Sequence, residues 1–173
     1  MVKGSSKLTV VFESGMGFSR STWGLVQPIV AKHARAAEYD RAGSGRSDAD
    51  TAPRTLHRLA KDLGVLLDAL GTGPFILVGH SWGGPIVRAA AAANPSRMRG
   101  IVLVDQSDEN CAMYFDKAAA KRFAMSRVLF PLLARLGLYR LFGSRPGSVQ
   151  PADVAADHRK EDFTIAAVST MAA

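Results

Sequence analysis

The chain has 173 residues, 47% of them hydrophobic and 21% charged, which is enough for one domain with a core of its own and excludes a disordered or disulfide-stapled chain. Its single cysteine, Cys111, cannot close an internal bridge and reads as a small, partly buried hydrophobe. A net charge of +7 would suit nucleic acid if the basic residues were clustered, but they are scattered, and the denser pairs Lys121-Arg122 and Arg159-Lys160 are soon interrupted; a solvated basic surface is expected, with no nucleic-acid partner.

Lys3 and Lys7 precede the apolar run Leu8–Phe12, which is shorter than a secretory h-region and stops at Glu13. Neither a signal peptide nor a membrane span is expected, and a cytoplasmic location follows as the working expectation. From there, strand-length apolar runs alternate with helix-length amphipathic ones, the signature of βαβ units on a parallel sheet between helices. A strand over 7–13 ends in the glycine turn Gly15-Met16-Gly17. A helix is predicted over 21–34, with Trp23, Val26, Ile29 and Val30 at helical spacing. A short strand over 36–39 runs into the glycine-rich loop Asp40–Ser47. The next helix, over 55–70, carries a stripe of Leu56, Leu59, Leu63, Leu66, Leu67 and Leu70 and closes at Gly71.

The most informative stretch follows: Phe75-Ile-Leu-Val-Gly79-His80-Ser81-Trp82-Gly83-Gly84, an apolar strand running into G-x-S-x-G and then into a helical pattern over 82–94. That context makes it a nucleophile elbow, in which a serine at a sharp strand-to-helix turn presents its hydroxyl, and flanking glycines let the two backbones approach. Ser81 is the candidate nucleophile. The helix behind it aims free N–H groups and a positive dipole end at the point where an oxyanion would form, and Pro85 suits its first turn. A buried strand over 100–105 comes next. Two helices are expected over 114–142, the second being Val128–Phe142, too short and too often interrupted by Pro131, Arg135 and Arg140 to span a bilayer. They read either as a lid or as packing helices. A Gly/Pro/Ser loop over 143–153 and a last helix over 155–171 complete the chain. The run Asp157–Asp162 reads as an exposed charged face.

Three motifs in this order resemble the α/β-hydrolase superfamily: Ser14-Gly15-Met16-Gly17, Asp40-x-x-Gly43-x-Gly45-x-Ser47 and Gly79-His80-Ser81-Trp82-Gly83. The likeness covers most of residues 7–110. It implies an α/β fold, a three-layer α/β/α sandwich with a mainly parallel sheet of about four central strands, divided into a core over 1–110 and a helical lid over 111–173. By the same resemblance Ser81 is the nucleophile, the main-chain N–H groups of Met16 and Trp82 form the oxyanion hole, and His80 points away from Ser81 as a packing residue. Ser14 stands where the family usually has histidine.

Serine chemistry needs a histidine base and a carboxylate to orient it, in the family's chain order Ser, acid, His. The strands that would carry them are not visible, so a chain cut within its lid is expected. An internal triad remains open, with Asp105 as acid and His158 as base; Asp105 as a turn cap is the alternative. His33 and His57 precede the nucleophile and read as surface or packing residues. A serine at the elbow favours acyl transfer, as by an esterase, lipase, lactonase, amidase or carbon–carbon bond hydrolase, and the resemblance adds the cofactor-free perhydrolase side reaction. The chemistry calls for no metal or cofactor, and the apolar lid points to a small hydrophobic or amphipathic acyl substrate. The competing expectation is a non-catalytic module that self-associates or binds a partner through lid helices and sheet edges, with no stable membrane insertion.

Overall fold

The computed structural model describes residues 1–50, 52–108, 110–111, 116–138, 151–162, 164–165 and 167–168. They fall into two compact units: Met1–Met16, Thr22–Tyr39 and Ala52–Ser107 form the first, and Gly17–Ser21, Asp40–Thr51 and Asp108–Ala173 the second.

The first unit is built on a sheet of five strands in the order β1-β3-β2-β4-β5: β1 (Val2–Lys3), β2 (Thr9–Glu13), β3 (Arg35–Glu38), β4 (Phe75–His80) and β5 (Met98–Val104). All neighbours are parallel except β1, which runs antiparallel on β3. The sequence predicts four strands; β1 is the addition, and two residues are too few to show any periodicity.

The register explains the layers. Val11 sits opposite Ala37 on one side and Leu77 on the other, and this row faces the larger core; Val10, opposite Ala36 and Ile76, faces the smaller one. Side chains alternate across a strand, so successive rows serve opposite faces. The larger core is closed by α2 (Leu56–Leu70) and α3 (Gly83–Ala93), through Leu59, Leu63, Leu67, Ile86, Val87 and Ala90. Each of the three leucines contributes about 1.5–3 kcal/mol by leaving water. Thr55 caps α2 by accepting the Arg58 N–H, and Gly71 closes it at φ +123°. Leu56, predicted in the same stripe, is exposed.

On the other face Phe12, Trp23 and Ala34 pack with Val10, Ala36 and Val78. Here the predicted helix over 21–34 is broken: a 3-10 turn, Arg20–Trp23, precedes the single helical turn α1 (Gln27–Val30). Pro28 enters at the start of α1 and has no N–H to carry a helix through that point. Val26 and Ile29, at helical spacing from Trp23, are exposed.

The predicted buried strand also needs correction. β5 is apolar, yet Ile101, Val102, Leu103 and Val104 are each 39–47% exposed, because the strand lies at the rim of the sheet and pairs with β4 on one side only.

In the second unit the helix Lys117–Arg135 runs through Pro131 and past Val128, the predicted start of the second of the two helices over 114–142; residues 139–142 of that second helix lie outside the described residues. Phe123, Met125, Val128 and Leu132 are exposed along it, and Leu136 just past its end. A second helix covers Ala152–Glu161; within the predicted 155–171 the chain turns at Asp162, residues 165, 167 and 168 are again helical, and the last residues lie outside the described set, as does most of the predicted 143–153 loop. No described helix is long and apolar enough to cross a membrane.

Candidate active site

At the end of β4 the chain leaves the sheet at Ser81, whose φ of +50° is left-handed backbone that L-residues rarely adopt. The turn is held in place by three main-chain hydrogen bonds. Ser81 N–H donates to the Val104 carbonyl at 3.1 Å, and the Ser81 carbonyl accepts from Gly84 and Ser107 N–H, each at 3.0 Å. Strain of this kind persists only where the surroundings over-determine it.

The flanking glycines show why the motif takes its form. A Cβ on Gly79 would lie 2.6 Å from the Gly83 carbonyl oxygen and 2.7 Å from Val87 Cγ2, while one on Gly83 would lie 2.5 Å from the Glu13 carbonyl oxygen. Strand, helix and the exit of β2 therefore converge at distances that only hydrogen side chains allow. A Cβ on Gly15 would meet His80 Nδ1 at 3.1 Å and Ser81 Cβ at 3.2 Å, which places the Ser14–Met16 turn against the elbow. The His80 ring sits beside Gly15 and edge-on to Trp23, with centroids 6.4 Å apart. Met16 is exposed, and Trp82 is half-buried at the start of α3.

Asp105 occupies the position on β5 that corresponds to Ser81 on β4, one step beyond the His80–Val104 pair. It too is left-handed, at φ +43°, and it is exposed. His158 belongs to the second unit. There its Nδ1 is bonded to the Asp162 carboxylate one helical turn on, and its ring lies nearly parallel to that of Phe18. The hydrogen bond that His158 donates to Asp162 raises the His158 pKa above the usual imidazole value, with burial opposing and the charges of Asp162 and Glu161 assisting. Within its own unit, the carboxylate bonded to His158 is thus Asp162. His33 and His57 are exposed.

The expected solvated face over 157–162 is corrected as well: Glu161 and Asp162 are each only 3% exposed. Asp162 accepts the Ser19 N–H at 2.7 Å. Glu161 pairs with the buried Arg20 and with Arg46, both at 2.7 Å, and Arg20 also reaches Asp40 at 3.4 Å. A charged run is read as surface when its partners, here at positions 19, 20 and 46, are more than a hundred residues away. The spacing His158-x-x-x-Asp162 was the one local signal of the pairing. Among the described residues no cluster of His, Cys, Asp and Glu has the form of a metal site.

The sequence matches the model of the alpha/beta hydrolase fold over residues 9–146. It is 37% identical over 113 residues to the uncharacterised YqjL protein of Bacillus subtilis, an overlap of 65% of this chain and 45% of YqjL. With lipase LipV of Mycobacterium tuberculosis it shares 42% identity over 69 residues, 40% of this chain and 26% of LipV. A thermophilic esterase from Thermogutta terrifontis superposes with a TM-score of 0.71 at 25% identity, over all of this chain and 64% of the esterase. The chain spans less than half the length of these two curated relatives. With a family match over most of its length and a parallel sheet delivering a strained serine into a helix, this protein belongs to the alpha/beta hydrolase fold family.

Proposed function

We propose that the chain carries the nucleophile of a serine hydrolase acting on carboxylic esters. The observation behind this reading is the left-handed Ser81 between β4 and α3, in a turn where glycine is sterically required on both sides. Such a turn costs folding energy and yields an accessible hydroxyl in front of unsatisfied helix N–H groups.

In this reading Ser81 Oγ gives its proton to a general base as it attacks the ester carbonyl, the carbonyl π pair moves onto oxygen, and that proton later passes to the departing alkoxide. Main-chain N–H groups of Met16 and Trp82 stabilise that oxyanion, which then collapses with expulsion of the alcohol. Water cleaves the resulting acyl-Ser81 ester and restores the hydroxyl. Names of relatives, a lipase and an esterase, are consistent with ester chemistry. The substrate we propose carries a small hydrophobic or amphipathic acyl group.

The test is turnover of p-nitrophenyl butyrate by the purified chain and by Ser81→Ala, with a fluorophosphonate probe to label an activated serine. Turnover and labelling that both vanish in Ser81→Ala support the reading; turnover that survives the substitution refutes it. His158→Ala and Asp105→Asn, assayed in the same way, test the expected base and acid.

A second reading rests on β5. Its residues Ile101–Val104 are apolar on both faces, as in the interior of a parallel sheet, yet stand exposed at the rim. In this reading the chain pairs through that edge with a second copy or another protein. Light scattering after size exclusion discriminates, since a monomer at high concentration counts against self-association.

A further inference from the structure

The run Thr9-Val10-Val11-Phe12 ends in a carboxylate, and the sheet buries it. Glu13 is 1% exposed. By strand alternation it points to the same face as Val11, toward the larger apolar core, and Tyr39 packs against that core. The Tyr39 hydroxyl donates a hydrogen bond to Glu13 Oε2.

Burying a carboxyl in a strand that would otherwise be apolar is unfavourable without a compensating partner, and a leucine there would remove that cost. A local rule broken in this way marks a position where something other than stability is served.

The position itself shows what is served. The β2–β3 ladder ends at the Phe12–Glu38 pair, and the Tyr39–Glu13 hydrogen bond forms one step beyond it, where main-chain pairing stops. On the other side Glu13 is the last residue of β2 paired with β4, opposite Gly79. Its carbonyl oxygen is the atom that forbids a Cβ on Gly83. Ser14 and Gly15 follow directly, and Gly15 lies against Ser81. Glu13 therefore stands at the root of the Ser14–Met16 turn, in contact with the elbow through its main chain and with β3 through its side chain.

We propose that Glu13 and Tyr39 form a positioning pair that fixes the exit of β2, so that the Met16 N–H is held in register with Ser81. The proposal rests on the ester-hydrolase reading for its consequence in catalysis, and on the fold alone for its consequence in dynamics. Neither side chain touches substrate. Their contribution is to keep an oxyanion donor within the narrow tolerance that acyl transfer demands, where a displacement of about 1 Å can cost roughly a hundredfold in rate.

The experiment uses the full chain and the variants Tyr39→Phe, Glu13→Gln and Glu13→Leu. Steady-state kinetics with p-nitrophenyl butyrate are paired with amide hydrogen exchange over residues 14–17 and over α2. Tyr39→Phe is expected to lower kcat by roughly tenfold to a hundredfold with KM within about twofold. It is also expected to speed exchange at residues 14–17 while α2 keeps its protection. Glu13→Gln, whose amide oxygen still accepts the phenol hydrogen bond, loses less kcat than Glu13→Leu. A wild type without Ser81-dependent turnover would refute the hydrolase reading, and the pair would then be judged by exchange: faster exchange at 14–17 in Tyr39→Phe supports it and unchanged exchange overturns it. An unchanged kcat in an active enzyme, or a kcat loss accompanied by equally faster exchange in α2, overturns the positioning role.

Discussion

Replacing Ser81 by glycine and by alanine separates the chemistry of the elbow from its backbone strain. Both variants remove the hydroxyl. Both keep the three main-chain hydrogen bonds of residue 81, to Val104, Gly84 and Ser107. They differ in the cost of φ +50°. A residue with a Cβ pays about 1–2 kcal/mol to enter the left-handed region, and glycine pays essentially none. Against this, glycine has the freer unfolded chain, worth about 0.5–1 kcal/mol. The difference leaves Ser81→Gly more stable than Ser81→Ala by about 0.5–1 kcal/mol, or about 1–4 °C in Tm for a chain of this size. The measurement is urea unfolding followed by tryptophan fluorescence, which reports on the right region because both tryptophans, Trp23 and Trp82, lie in the first unit. Both variants should be inactive toward p-nitrophenyl butyrate. If Ser81→Ala proves as stable as Ser81→Gly or more so, residue 81 carries no backbone strain and the elbow argument fails.

Gly83→Ala should cost about 1–3 kcal/mol, because the new methyl meets the Glu13 carbonyl oxygen at 2.5 Å and main chain must move; a denaturation midpoint equal to wild type would contradict the close approach. Arg20→Ala strips a buried guanidinium from Glu161 and Asp40 and should destabilise the second unit by about 3–5 kcal/mol, with faster amide exchange in 152–161 as the readout and unchanged exchange as the refutation. For His158 the folded pKa is raised, so its pairing with Asp162 adds stability in full below the unfolded value near 6.5, and that stability is lost as pH rises through the folded value. The stability gap between wild type and His158→Gln should therefore be widest below about pH 6.5 and shrink at higher pH. By NMR the His158 ring should titrate above 6.5 and shift down in Asp162→Asn; titration at or below 6.5 in the wild type would contradict the pairing.

What could be read from the sequence was set by neighbours along the chain. The elbow was legible because Gly79, Ser81 and Gly83 answer to one turn, and its steric demand is written within five residues. The leucines at 59, 63 and 67 were legible because a helix repeats them onto one face, and Thr55 and Gly71 punctuate that helix locally. The Ser81-bearing parallel sheet followed from alternating strand and helix patterns. Tertiary structure decided the rest. Ile101–Val104 have the composition of an interior strand, and only the strand order places them at a rim. Glu161 and Asp162 look like surface charge until Arg20, Arg46 and Ser19 arrive from more than a hundred residues away. Glu13 ends its strand with a carboxyl whose partner, Tyr39, lies just past the end of the next strand over. Local patterns fix which elements form, because their energies depend on nearby residues; which side chains are buried, and beside what, depends on contacts that exist only once distant segments have been brought together.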